Sequence, residues 1–175
     1  MLPHAATKLI EAFWIIAPAY AANAFPPLLK GKHPLDLGRK MGKNRILGDG
    51  KTFEGTFGGI AFGTLVGYIQ QLIHPYFIEE LQLPPMTLHL AFLLAVGAVL
   101  GDITWSFIKR RLGIPRGQSV PIANQLDFLL GALLLGSLIY EFECGTIFFL
   151  IMITPAIHLL ANTLAFIAKL KRVPW

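Results

Sequence analysis

The sequence has 175 residues, of which 54% are hydrophobic and 14% charged, against about 25% charged in an average soluble domain. That balance excludes a disordered tail, a coiled coil and an ordinary water-soluble enzyme; one cysteine, Cys144, excludes an intramolecular disulfide framework and a Cys-only metal site. A net charge of +5 in so apolar a chain points to an all-α polytopic membrane protein and not to a nucleic-acid binder.

The first uncharged stretch, residues 12–29, lies between Glu11 and Lys30. A spanning helix needs about 20 largely apolar residues, so this one just qualifies. Pro18, Asn23, Pro26 and Pro27 break it up, and irregular backbone at membrane depth is tolerated only where it is buried or lines a polar cavity. Ala19-Tyr20-Ala21 and Ala22-Asn23-Ala24 have the look of signal-peptide cleavage sites. Cleavage there would carry seven cations across the membrane, so the segment is read as a retained span.

A polar segment over 31–54 follows, and then an uncharged stretch over 55–78. In it Gly55, Gly59, Gly63 and Gly67 recur every fourth residue, the stripe that lets a neighbouring helix approach closely. The third stretch, 81–101, runs into Asp102 and the basic segment from Lys109. The fourth, 128–140, spans only if its helix starts near Ile122 and carries Asp127 into the membrane edge. In the fifth, 145–168, Thr154, His158 and Asn162 form a polar stripe after Pro155, either a structural hydrogen-bond ladder or the lining of a polar path. The resulting expectation is one membrane domain, 1–175, with five spans at about 10–30, 55–74, 88–108, 122–140 and 145–168 and polar loops over 31–54 and 109–121. No internal repeat is visible, and an odd span count disfavours an inverted-repeat transporter.

Charge placement orients the chain. Lys30, Lys32, Arg39, Lys40, Lys43, Arg45 and Lys51 follow the first span; Lys109, Arg110, Arg111 and Arg116 follow the third; Lys169, Lys171 and Arg172 follow the fifth. Lys8 alone falls on the other side, whose loops hold Glu79, Glu80, Glu141 and Glu143. Basic loops stay in the cytoplasm, so the N-terminus is expected outside and the C-terminus inside.

Two regions carry chemistry. In the first loop, Gly31, Gly38, Gly42, Gly48, Gly50 and Gly55 alternate with Arg39, Lys43, Arg45 and Lys51. Glycines let backbone N–H groups approach a ligand and the cations suit a triphosphate, Arg as a planar fork and Lys as a point charge. Thr52 to Glu54 lie where a following helix would offer its N-terminus to an anion. An anchor for acidic headgroups would explain the charges but not the glycines, and no Walker A spacing occurs. In the second region Asp102, Ser106 and Lys109 share one helix face at i, i+4 and i+7. An intramembrane Asp is costly and marks function by default, the plain alternative being a structural pair with Lys109. Asp127 is a second carboxylate at the same surface, and two carboxylates with a triphosphate make a Mg²⁺ site. His4, His33, His74, His89 and His158 are scattered and offer no zinc site.

The run Gly38-Arg39, Gly42-Lys43, Lys51-Thr52-Phe53-Glu54-Gly55 resembles the glycine- and lysine-rich region of the phosphatidate cytidylyltransferases. Ser106 to Arg110, Pro121 and Gln125-Leu126-Asp127 are similar to that family's C-terminal signature. The short chain, the PAYAAN start, the ILGDGKTFEG run and the NQLDF ending look like its archaeal branch, the CDP-archaeol synthases. Two departures stand out: residues 115–120 read PRGQSV in place of the signature's Lys-Asp and His-Gly-Gly elements, and Asn124 replaces the first Asp of the closing pair. The resemblance implies cytidylyl transfer from CTP to an isoprenoid-ether glycerol 1-phosphate, with Mg²⁺, at the cytoplasmic face of the cell membrane, by a homodimer. It implies CTP contacts from Asn23, Gly38, Arg39, Gly42, Lys43, Arg45, Gly50, Lys51, Thr52, Glu54 and Gly55, and lipid-phosphate contacts from Ser106, Lys109 and Arg110. Asp102 and Asp127 would hold the metal, and Lys51, Asp102, Lys109 and Asp127 would form the catalytic set. The residues suit that reaction independently: a phosphate monoester with a second pKa of about 6 is already an ionised nucleophile, so no general base is required. A CDP-alcohol phosphatidyltransferase would need clustered aspartates, and Asp36, Asp49, Asp102 and Asp127 lie far apart. A small transporter or lipid-binding protein would show no nucleotide requirement.

Overall fold

A computed structural model describes residues 4–77, 81, 83–115, 118, 120–167 and 169. The chain is mostly helical: α1 (His4–Ala24), α2 (Pro26–Leu29), α3 (Phe53–Ile73), α4 (Leu88–Arg111), α5 (Ala123–Gly136) and α6 (Cys144–Ile167). A 3₁₀ turn, His74–Tyr76, follows α3. Among the described residues, three segments are long and apolar enough to cross a membrane: Ala6–Leu29, Leu88–Arg111 and Cys144–Leu164. Helix α5 is apolar but has only 14 residues; α3 has the length, 21 residues, but carries glycines, Gln70 and Gln71 where aliphatic side chains would stand. Among the orienting residues, Glu79, Glu80, Arg116, Lys171 and Arg172 lie outside the described residues, as do Gly117 and Ser119 of the PRGQSV segment.

Helix α4 is the hub and packs on α1, α3 and α5. Its Leu90, Ala91, Leu94, Ala95 and Ala98 meet Ala12, Ile15, Ile16, Ala19 and Ala22 of α1 and Phe128, Leu129 and Ala132 of α5 in one core. Lipid tails are as apolar as leucine, so association in a membrane depends on close approach more than on burial as such. The glycine stripe supplies that approach within this chain. A Cβ at Gly63 would stand 2.5 Å from the Pro18 carbonyl oxygen and 2.9 Å from the Ala95 Cβ. The stripe is therefore filled by α1 and α4 and offers no surface to a second copy.

The first span is broken as expected, but only ahead of Pro26, at Phe25 between α1 and α2; Pro18 does not interrupt α1. Proline removes one backbone N–H, which leaves the carbonyl four residues earlier without its helical donor. Here that carbonyl belongs to Trp14, and the Gln70 side-chain amide from α3 donates to it at 2.7 Å. At the same end as the N-terminus, Lys8 pairs with Glu11 at 3.1 Å and Glu143 at 2.9 Å, joining α1 to the start of α6. In the polar stripe of α6, Thr154 hydrogen-bonds the Tyr20 hydroxyl at 2.6 Å, while Asn162 and His158 bond each other at 3.0 Å. The Thr154 rung is thus an inter-helix tie.

The 31–54 segment is not plain loop. Two-residue strands β1 (Lys40–Met41) and β2 (Asn44–Arg45) form an antiparallel hairpin. Its turn has Gly42 at φ 68° in the first central position, where a tight hairpin turn favours glycine.

Candidate active site

The base of the 31–54 segment is closed by short antiparallel pairing. Leu35 N–H donates to the Lys51 carbonyl at 2.8 Å, and Phe53 N–H donates to the His33 carbonyl at 2.9 Å. Thr52 then caps α3, its hydroxyl accepting from Gly55 N–H at 3.1 Å. Glu54 turns back across the closure and accepts from Lys32 N–H at 3.2 Å and bonds the His33 ring at 2.5 Å. Thr52, Glu54 and Gly55 thus build the joint between loop and helix.

Above the joint the segment folds around Asp36, whose side chain is 0% exposed. It accepts from Gly38 N–H at 3.1 Å, Leu47 N–H at 3.0 Å and Gly48 N–H at 2.9 Å. The Arg45 guanidinium grips it through Nε at 3.1 Å and Nη2 at 2.5 Å. Arg45 also reaches Asp49 at 2.8 Å. Arg45, expected on the triphosphate, is instead committed to holding the loop. Sequence reasoning missed Asp36, although an acceptor two residues before a glycine is an Asx-turn signal. The Arg45 guanidinium, aided by the three N–H donors, holds the Asp36 carboxyl well below the ordinary carboxylate range. The stabilisation it contributes is complete above the ordinary carboxylate value and is lost as pH falls through the lowered one. Asp36→Asn is expected to remove about 3 kcal/mol of loop order, the scale for breaking a buried pair. Nucleotide KM should rise about tenfold, kcat should change less, and trypsin should cut the wild-type loop more slowly than the variant's.

The hairpin is then tied to the end of α4. Arg111, stacked over the Phe107 ring at 5.2 Å, donates to the Met41 carbonyl at 2.8 Å and the Arg45 carbonyl at 2.7 Å. The Asn44 amide donates to the Arg110 carbonyl at 3.1 Å. Arg39, Lys40 and Lys43 are left exposed around this anchored hairpin. Positive φ at Gly38 (81°) and Gly42 (68°) shows that these glycines serve the turn geometry. Gly50 lies exposed beside Lys51, and Asn23 is half-buried near the end of α1, where Pro26 packs over Gly55.

Lys51 reaches from the joint to Asp102 on α4 and makes an ion pair with it. The side chains are 22% and 29% exposed. Asp102 therefore has Lys51, and not Lys109, as its ion-pair partner. Lys109 donates instead to the Asn124 side-chain oxygen at 2.9 Å, and the Trp105 indole donates to the same oxygen at 2.7 Å. Two donors on one atom fix the amide's orientation, and the neutral amide holds Lys109 without cancelling its charge. Helices α4 and α5 meet through glycine: a Cβ at Gly101 would stand 2.2 Å from the Asp127 carbonyl oxygen. Asp127 accordingly interacts electrostatically with Asp102, Lys51 and Lys109. Ser106 is only 5% exposed, and the Arg110 guanidinium is turned onto the Ile114 carbonyl. Both were expected at the lipid phosphate from the sequence; one is buried and the other already holds a main-chain carbonyl.

Asp102 and Asp127 offer hard oxygen ligands, and no group of three or more His, Cys, Asp or Glu that could hold a metal occurs among the described residues. Such a pair fits a divalent cation that takes its remaining ligands from water and substrate phosphates. The arrangement brings two carboxylates, two ammonium groups and an exposed cationic hairpin to one end of the bundle.

A family model described as CarS-like, CDP-archaeol synthase, matches residues 6–175. A curated CDP-archaeol synthase of Pyrococcus abyssi is 46% identical over 168 residues, covering 95% of this chain and 98% of its own. One from Pyrobaculum calidifontis is 41% identical over 172 residues, covering 96% and 99%. A solved structure, described as an intramembrane enzyme for archaeal membrane lipids biosynthesis, superposes with a TM-score of 0.77 at 37% identity, covering 87% of this chain and 93% of that one.

Proposed function

The chain belongs to the CDP-archaeol synthase family, a membrane-embedded cytidylyltransferase of archaeal lipid synthesis, and from that premise we propose how its residues divide the work. The acceptor is an isoprenoid-ether glycerol 1-phosphate, and the products are the CDP-activated lipid and pyrophosphate. The observation that carries this reading is the Lys51–Asp102 pair. It joins the glycine-rich loop to α4 beside Asp127, so that both halves of the sequence signature meet at one surface.

In the proposed mechanism, Arg39, Lys43 and Lys51 bind the triphosphate, with backbone contacts around Gly38, Gly42 and Gly50. Lys109, held by Asn124, faces the incoming lipid phosphate. An oxygen of that phosphate attacks the α-phosphorus of CTP in line, and the bond to the β-phosphate oxygen breaks. Positioning and charge neutralisation supply the catalysis, so no side chain needs to abstract a proton. Asp102 and Asp127 would hold Mg²⁺, which when bound polarises phosphoryl oxygens and neutralises the leaving pyrophosphate. Arg45 and Glu54 act one step back, keeping the loop in shape.

Five helices, α1, α3, α4, α5 and α6, span the membrane in this reading, in a single domain over 1–175. The N-terminus is outside, the C-terminus is in the cytoplasm, and the site faces the cytoplasm of the cell membrane. The positive-inside distribution supports it, as does the separation of the Lys8–Glu143 end from the Lys51–Asp102 end. A homodimer remains part of the proposal, with its interface outside the glycine stripe.

Pyrophosphate release by detergent-purified protein with CTP and Mg²⁺ tests the reading. The arms are an isoprenoid-ether glycerol phosphate, phosphatidic acid and no acceptor. Release is expected only with a lipid phosphate, and fastest with the ether lipid. Folded protein that releases none with any acceptor would return the loop cations to the role of a topology anchor.

A further inference from the structure

The catalytic carboxylate Asp102 is already occupied by a cation of the protein's own. Lys51 sits on its Oδ2 oxygen, and both side chains are more than two-thirds shielded from solvent. Lys51 is held at its backbone by the Leu35 N–H bond to its carbonyl at 2.8 Å, so the side chain swings from a fixed base. Lys109 and Asp127 add a basic and an acidic side chain to the same neighbourhood. A divalent ion arriving alone at Asp102 meets the Lys51 ammonium already on the carboxylate, and in a half-buried site the two cations repel one another, which pushes the ammonium aside. No anion other than Asp127 among these four groups then compensates the displaced ammonium. A nucleotide triphosphate supplies that anion, to which a long and flexible lysine can turn.

We propose that Lys51 is the resident counter-ion of Asp102 in the nucleotide-free enzyme and exchanges onto the triphosphate as the metal arrives, so that metal enters only together with nucleotide. The inference rests on the proposed roles of Lys51 and Asp102 and adds an order of binding to them. The exchange keeps Asp102 paired in both states, by ammonium before binding and by the divalent ion after. It also keeps the site from collecting divalent ions when no nucleotide is present.

The test is binding of Mn²⁺ alone to the full-length protein in detergent, followed through the electron paramagnetic resonance signal of the unbound ion. Lys51→Met is compared with wild type, with Lys51→Gln as a second, polar replacement in case the first does not fold. Both leave the backbone bonds of residue 51 in place. Either variant is expected to bind nucleotide-free Mn²⁺ about tenfold more tightly than wild type, and Lys51→Met/Asp102→Asn should lose that gain. Equal Mn²⁺ affinity in wild type and the Lys51 variants would overturn the proposal, as would a gain that survives removal of the Asp102 charge. Calorimetric binding of CTP with Mg²⁺ to wild type separates the two levels of failure. Absence of CTP binding would overturn the parent reading and the exchange together, whereas CTP binding without the Mn²⁺ gain would overturn the exchange alone.

Discussion

Asp127→Asn is expected to lower cytidylyl transfer on the order of a hundredfold or more, while the helix bundle stays folded. The substitution preserves volume and keeps an oxygen to accept from Phe128 N–H, now at 2.6 Å. What it removes is a negative charge in the field of Asp102, Lys51 and Lys109. Asp102 has an ammonium on it, so Asp127 is the carboxylate with more to offer a divalent ion. Initial rates of pyrophosphate release at saturating CTP and Mg²⁺ read the effect, and an unchanged melting temperature shows that it is chemical. Activity above half of wild type would remove Asp127 from the metal-holding pair.

Gly101→Ala should be nearly as damaging, through position and not through charge. The added methyl would stand 2.2 Å from the Asp127 carbonyl oxygen and 3.2 Å from the Gly131 Cα, both backbone atoms that cannot rotate away. The overpacking costs about 1–3 kcal/mol, which for a chain of this size lowers Tm by roughly 2–12 °C. Separating α4 from α5 also moves Asp127 away from Asp102, and a misplacement of about 1 Å can reduce a rate about a hundredfold. Gly58→Ala is the contrast. Its methyl would meet the far end of the exposed Leu29 side chain, 2.2 Å away, which can turn aside. Tm and turnover should therefore shift far more in Gly101→Ala than in Gly58→Ala. Equal effects would mean that the α4–α5 contact does not position the site.

Much of this was legible in the sequence because lipid imposes a simple rule on charge. The uncharged stretches that start at residues 55 and 145 begin within two residues of the starts of α3 and α6, and the one that starts at residue 12 begins inside α1. The helix expected from near Ile122 starts at Ala123, although it ends at Gly136 instead of 140. Asp102 and Lys109 were identifiable from helical spacing, but their partners were not. Lys51 and Asp102 are 51 positions apart, and only the way α3 packs on α4 brings them together. Spacing offered a local Asp102–Lys109 pair only as the plain alternative to a functional Asp102. Tertiary geometry gave Asp102 to Lys51 and Lys109 to Asn124.

The hairpin escaped notice because strands of two residues leave no periodicity to read. Arg45 resembled its cationic neighbours in composition, and only the buried Asp36 distinguishes it. Proline 18 misled for a similar reason. Its cost to α1 is met by a glutamine on another helix, a compensation that no local pattern announces.

The way the hairpin is fastened bears on how this enzyme can diversify. Arg111 grips the carbonyls of Met41 and Arg45, and Asn44 grips the carbonyl of Arg110. Every one of these holds ends on main chain, which all twenty residue types share. Lys40 and Met41 can therefore be exchanged without unfastening the strand, while Gly42 keeps the turn. Drift or directed evolution can rewrite the exposed edge of the hairpin on a mount that does not register the change.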